Sequence, residues 1–433
     1  MTAMVLAGGA VLTVDDADTV LPAADIRIEG VTIAAIGAAG SLAQPGDTVI
    51  DCRDALVMPG LVNVHTHAGT ALFRGRVEDA PRDFWAGRYA VPGQEDLTAD
   101  DYAASAAAAC AEFLLNGVTC IADRLGAMDR IAPVIEASGM RAVVGQTLTD
   151  ATGPPDWRTA EAVLERFGTD PIRSRVIAGI APHALDSCSD ALLADCARRA
   201  AILGARVFIH VAQSRREVDA VRARGHAGAL ACLAATGLAD PHVVAAHGIY
   251  LDDAEIDAWP RHGVALAHCP ASNLKIEART VPLHRLVGRV AVGLGTDWTA
   301  SDNAMDLLVE ARLAALVGKL LADNPEVLPV RQMIRMLTID GARVLGLDAM
   351  VGSVEVGKRA DLVVLDLTRL EASPRHDLAA NVLYAMSPRS VRDVLVDGAV
   401  LVRAGRLARD DEAGRAALHE AIAAKMRRAA TRP

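Results

Sequence analysis

Eight short apolar runs, most of them followed by a stretch with helical spacing, constrain this chain more than any other feature. They are "GLVNVHTH", "GVTCIAD", "MRAVVGQTL", "RVIAGIAPH", "ARVFIHVAQ", "HVVAAHG", "GVALAHCP" and "VAVGLGTD". Segments such as "DALLADCARRAAILG" and "REVDAVRARGHAGALACLAATG" lie between them. Strands covered on both faces read as near-continuous apolar runs rather than alternating ones. Eight strand–helix units of this kind predict an α/β fold, a (β/α)8 barrel. Both chain ends have a different texture. "MVLAGGAVLTVD", "ADIRIEGVTIAAIG" and "DTVIDCRDALVMPG" near the start, and "GSVEVGKRADLVVLDL" and "VRDVLVDGAVLVRAG" near the end, are β-branched runs punctuated by Gly, Asp and Pro. They predict a small β-sandwich built from both termini, residues 1–58 and 349–408, around a barrel spanning 59–348. Residues 409–433 read as an amphipathic C-terminal helix whose basic end suits the helix dipole.

A barrel does its chemistry at the C-terminal ends of its strands. The first run ends in His65 and His67, whose i, i+2 spacing puts both on one side of a strand. The fourth ends in His183, the fifth in His210, the sixth in His247 and the eighth in Asp297. A lone histidine is most often a hydrogen-bonded structural residue, but coincidence does not explain the whole set. His65, His67, His210 and Asp297 form a ligand set for one divalent metal ion with a position left open for water. Zinc is the expectation, with Fe2+ or Mn2+ as alternatives. A water bound there loses its proton near neutrality, and His247, one strand away, is placed to accept it.

Bulk properties exclude other classes. The 433 residues carry a formal charge of −10 with no basic cluster, so no nucleic-acid partner is expected. No apolar stretch reaches the roughly 20 residues of a membrane span, and the start lacks the pattern of a secretory signal. Seven scattered cysteines without a C-x-x-C read as buried thiols in a reducing, cytoplasmic setting.

The motifs "MPGLVNVHTH", "APH", "FIHVAQ", "VAAHG", "AHCPASNLKI" and "GLGTDWTASDN" together resemble the amidohydrolase superfamily. More narrowly, they resemble its cytosine deaminase and S-adenosylhomocysteine/methylthioadenosine deaminase branch. The resemblance covers nearly the whole chain. It implies a metal-dependent aminohydrolase that removes an amino group from an N-heterocycle, and commonly a homo-oligomer. By motif, His65, His67, His210 and Asp297 match metal ligands and His247 the water-orienting histidine. Asp297 also matches the shuttle that hands a proton to the leaving amine, His183 a substrate contact, and Asn273 a pocket-bordering residue.

Three positions depart from the pattern. The Glu of "H-x-x-E", which protonates the ring nitrogen, is Gln213 here. A ribose-binding Glu is replaced by Gln94, and Trp298 follows Asp297 where relatives have "GTDGAASN". A neutral amide donates and accepts hydrogen bonds but is no useful general acid. Gln213 is therefore expected to bind a ring nitrogen or exocyclic oxygen, and Gln94 to shift the substrate toward a compact heterocycle without an obligatory ribose. Trp85, in "FWAGRYAVP", reads either as part of an aromatic lid or as a packed loop. Two alternatives stand beside the deaminase: a hydrolase of a cyclic amide, substituted amine or halide on a triazine-like ring, and a non-catalytic binding protein.

Overall fold

A computed structural model describes residues 3–76, 78–79, 96–408 and 412–430. The eight predicted runs form barrel strands, numbered here β1 (Leu61–Thr66), β2 (Val118–Leu125), β3 (Arg141–Leu148), β4 (in two pieces, Val176–Ala178 and Ala181–Pro182), β5 (Val207–Val211), β6 (Val243–His247), β7 (Ala265–His268) and β8 (Val292–Leu294). Neighbouring strands pair in parallel. Parallel bridges from Ile180 to Val207 and from Thr66 to Asp297 close the ring.

The strands divide their side chains between two apolar layers. Val62, Val143, Phe208, Val244 and Ala267 share the layer inside the barrel. Ile121, Val144, Ile209, Ala245 and Leu266 belong to the larger core between strands and helices. This is why the runs show no polar alternation: both faces are dry.

The termini supply a nine-stranded sheet. Its N-terminal strands include Met4–Leu12, Val20–Glu29 and Ala55–Pro59, and its C-terminal ones Leu362–Asp366, Val391–Val396 and Ala399–Arg403. The two ends of the chain meet where Leu362–Asp366 pairs antiparallel with Ala55–Pro59. This β domain has its own apolar core, with Leu6, Ile26, Val57, Leu362 and Leu395 among its members. The final helix, Glu412–Ala430, buries Ile422 and Met426 against Leu72, Phe73 and Ala300 beside the barrel mouth.

Candidate metal centre and active site

Three strand ends and one loop converge at the barrel mouth. His65 lies in β1, His210 in β5 and His247 at the end of β6, while Asp297 lies three residues beyond β8. The ligand atoms of His65, His210, His247 and Asp297 all fall within 4.8 Å of one another. His67, just past β1, joins them with its Nε2 3.2 Å from Asp297 Oδ1, the same separation His65 Nε2 makes. Two metal bonds of about 2.1 Å meeting at roughly 100° leave their donors about that far apart. β8 approaches β1 closely enough for this because residue 295 is glycine: a Cβ there would stand 2.8 Å from the His65 carbonyl oxygen.

The partners of these side chains fix which atoms face the centre. His67 Nδ1 donates to the Arg124 carbonyl at 2.5 Å, leaving Nε2 as the free lone pair. His247 Nδ1 donates to Asn273 Oδ1 at 2.9 Å, so its Nε2 is likewise an acceptor. Ser272 Oγ donates to Asp297 Oδ2 at 2.5 Å. Both ring nitrogens of His210 are buried with no hydrogen-bond partner among the described residues. Buried polar atoms are rarely left so, and a cation at the centre would satisfy one of them.

Electrostatics point the same way. Burial pushes His65 down to about 3 against the opposing pull of Asp297. Burial, then Arg124 and the neighbouring imidazoles, hold His210 well below the usual range. His247 is lowered by burial, partly offset by Asp297 and Asn273. Burial works to raise the Asp297 carboxyl, yet the bonds from His65 and His67 and the nearby imidazoles hold it well below its ordinary value. Neutral imidazoles and an ionised carboxylate are the protonation states that metal ligation requires. The residues therefore fit a divalent ion of the zinc kind.

A second donor group, Asp190, His226 and Cys232, also comes together. Arg224 already lies among them, 3.4 Å from Asp190 and 3.4 Å from Cys232 Sγ. Its guanidinium takes the place a cation would need.

The centre opens into a cavity of about 830 Å³ lined by His183, Gln213, Asn273 and Trp298 as well as His67, His210, His247 and Asp297. His183 stands edge-on to His210 with ring centroids 5.1 Å apart, and its Nδ1 meets Ser187 Oγ at 2.6 Å. Trp298 packs edge-on against Phe73. Gln213 is half-buried on the turn after β5, where its backbone N–H is held by Glu217 Oε2 at 2.9 Å. Trp85 and Gln94 lie outside the described residues. Sequence reasoning did not find Ser272, although it sits beside Asn273 at the start of the helix after β7. It also did not find Arg124, whose buried guanidinium donates to the His183 carbonyl at 3.0 Å. A polar pair opening a helix directly after a barrel strand was the available signal for Ser272.

Comparison with known proteins gives consistent findings. A family model described as "Amidohydrolase family" matches residues 56–401. The 5'-deoxyadenosine deaminase of Methanosarcina mazei is 34% identical over 417 residues, 95% of each chain. The 5-methylthioadenosine/S-adenosylhomocysteine deaminase of Haloarcula marismortui is 35% identical over 413 residues, 93% of each chain. The crystal structure of an adenosine deaminase from Xanthomonas campestris with bound zinc covers 99% of both chains at 30% identity and a TM-score of 0.93.

Proposed function

Since the chain belongs to the amidohydrolase family, we propose that it is a zinc-dependent hydrolase that deaminates an adenosine-type nucleoside. The observation that carries this reading is the donor set itself: the ligand atoms of His65, His210, His247 and Asp297 lie within 4.8 Å of one another, His67 Nε2 stands 3.2 Å from Asp297 Oδ1, and His247 Nε2 is held as a proton acceptor. His65, His67, His210 and Asp297 would hold the ion. When bound, such an ion lowers the pKa of a coordinated water toward neutrality.

The chain's own groups carry the rest. His247 accepts a proton at Nε2, its tautomer kept by Asn273. Asp297, with Oδ2 anchored by Ser272, passes a proton to the leaving amine. Gln213 donates an N–H to the ring nitrogen beside the attacked carbon and steadies negative charge there without giving up a proton. His183 contacts the heterocycle. Water and the amino-heterocycle are converted to the oxo-heterocycle and ammonia.

The sequence pointed to a compact heterocycle, and the cavity argues for something larger. A volume of about 830 Å³ is near the upper end of the roughly 300–1,000 Å³ of small-molecule sites. Thr149, Asp186, Ser187 and Arg216 also line it, offering polar groups to an appendage such as a sugar. The nearby relatives are named for adenine nucleosides. We also take the enzyme to be cytoplasmic and homo-oligomeric. The buried cysteines, all free of disulfides, support the first, and light scattering tests the second. Among the described residues no helix is long and apolar enough to cross a membrane.

The test is ammonia release by the zinc-loaded protein from adenosine, 5'-deoxyadenosine, methylthioadenosine and S-adenosylhomocysteine. Cytosine, guanine, a pterin and an aminotriazine run alongside. Turnover of a nucleoside is the expected result. Turnover of free bases alone returns the reading to a compact ring, and hydrolysis without ammonia moves it to another bond on the same scaffold.

A further inference from the structure

Two buried carboxyl groups that the mechanism does not use meet behind the centre. Asp302 ends the short helix α2 (Thr299–Asp302) that starts two residues after Asp297. Glu310 lies in the first turn of α3 (Leu307–Ala322). Each has one oxygen occupied by the backbone: Asp302 Oδ2 accepts from Met305 N at 2.5 Å, and Glu310 Oε2 from Ala271 N at 3.0 Å. The other oxygens, Asp302 Oδ1 and Glu310 Oε1, are buried and meet no N–H or O–H donor among the described residues. The two side chains instead bond to each other. Two carboxylates repel in such a contact, whereas a carboxylic acid and a carboxylate attract, so one proton must lie between them.

Ala271 belongs to α1 (Pro270–Glu277), whose next two residues, Ser272 and Asn273, hold Asp297 and His247. The pair thus ties the helix that aims both groups to the helix that follows Asp297.

We propose that Asp302 and Glu310 share a single proton and act as positioning residues. As a staple, they hold α1 against α2 and thereby aim Asp297 and His247. The charged and titratable groups around them are Asp297, Asp306 at the start of α3, and Cys269, with Arg312, two residues past Glu310 on α3, acting on Asp306. In this largely acidic, dry surrounding, burial holds the pair's last proton well above the usual carboxylate range. Loss of that proton on the alkaline side sets two anions against each other and loosens α1. The catalytic consequence rests on the deaminase reading; the shared proton does not.

The experiment uses the zinc-loaded full chain, with Asp302→Asn, Glu310→Gln and Glu310→Ala. Either amide supplies permanently the N–H that the proton supplies in the wild type. Asp302→Asn and Glu310→Gln should therefore keep kcat within about threefold at neutral pH and lose one ionisation from the alkaline limb. Glu310→Ala removes the staple and should lower kcat by about 10- to 100-fold with KM little changed, the scale on which small misplacements act. Infrared difference spectroscopy gives a readout independent of turnover: a protonated-carboxyl band that the wild type has and Asp302→Asn lacks, the band of Glu217 being common to both and cancelling. An unchanged alkaline limb in the amide variants overturns the positioning role, and absence of the band overturns the shared proton. If no nucleoside is turned over while the band behaves as expected, the deaminase reading fails and the proton pair stands.

Discussion

Gln213 holds its amide protons at every pH at which the protein is folded, so it can stabilise charge on a ring nitrogen but cannot neutralise it. A carboxyl group at this place would do both, and general acids contribute on the order of 10²- to 10⁴-fold. Gln213→Glu is expected to raise kcat for an adenine nucleoside by at least about tenfold, toward the lower end of that range. Steady-state kinetics on the purified pair checks this, and an unchanged or lower kcat would mean that the native acid lies elsewhere. Asn273 makes a different kind of contribution. Its Oδ1 fixes the His247 tautomer from 2.9 Å, and losing such an outer partner typically costs about 10- to 100-fold in activity or metal affinity. Asn273→Ala should therefore lower kcat by that factor while zinc content, measured by atomic absorption, stays near one per chain. The histidines and Asp297 were legible because strand ends are marked locally by apolar runs. Asp302 and Glu310 were not, because their roles come from partners brought near only by the closed ring.

Backbone geometry at the strand ends adds what alternation leaves out. Val244 and Ala246 face the barrel interior, so strict alternation would turn His247 away from it. The left-handed backbone at His247, φ 80°, redirects it, and Asp297 at φ 58° and Ala212 at φ 48° share that conformation. Each such residue costs about 1–2 kcal/mol relative to ordinary backbone. No residue pattern announced it. The barrel strands were foreseen at the level of elements, whereas "GSVEV" at the C-terminal side is not a strand, and a single antiparallel bridge from Arg359 to Thr32 precedes the strand that starts at Leu362. The turn after β5 is clamped by Glu217, whose carboxyl accepts from Ala212 N and Gln213 N, both at 2.9 Å. Burial, then Asp186, pushes this carboxyl from 4.5 up to about 8 against those bonds. The folded state therefore keeps a proton that the unfolded chain releases above 4.5. The associated stability is fully present at lower pH and is lost as pH rises toward 8, with a slope of up to about 1.4 kcal/mol per pH unit. Glu217→Gln cannot ionise and should remove that slope, at a uniform cost of about 1–3 kcal/mol for the mismatched N–H. Urea unfolding across this window compares the two, and parallel pH profiles would reject the assignment.

At the scale of the molecule, the barrel and the terminal β domain are joined by a charge cluster far from the active site. Arg141, only 2% exposed, opens β3 at the end of the barrel opposite the mouth. Its Nε and Nη2 donate to Asp361 at 2.8 and 3.1 Å, and Nη2 reaches Asp397 at 2.6 Å. Asp361 in turn accepts from Asp397 N at 2.9 Å. Asp361 directly precedes the strand Leu362–Asp366 and Asp397 directly follows Val391–Val396, so one guanidinium ties the C-terminal strands to a barrel strand. A buried pair contributes little over an apolar substitute, but removing one member strands the other's charge in a dry site. Arg141→Met should thus destabilise the protein by about 3–5 kcal/mol, and Arg141→Met with Asp361→Asn and Asp397→Asn should recover a large part of it. Because residues at the bottom of a barrel serve stability and those at the top serve chemistry, kcat and zinc content should stay within about twofold of wild type in every variant that folds. Thermal unfolding and activity measured on the same samples separate the two effects. A fall in kcat in a folded Arg141→Met sample would mean that the β domain helps to shape the mouth through the length of the barrel, and that stability and catalysis are not divided between its two ends.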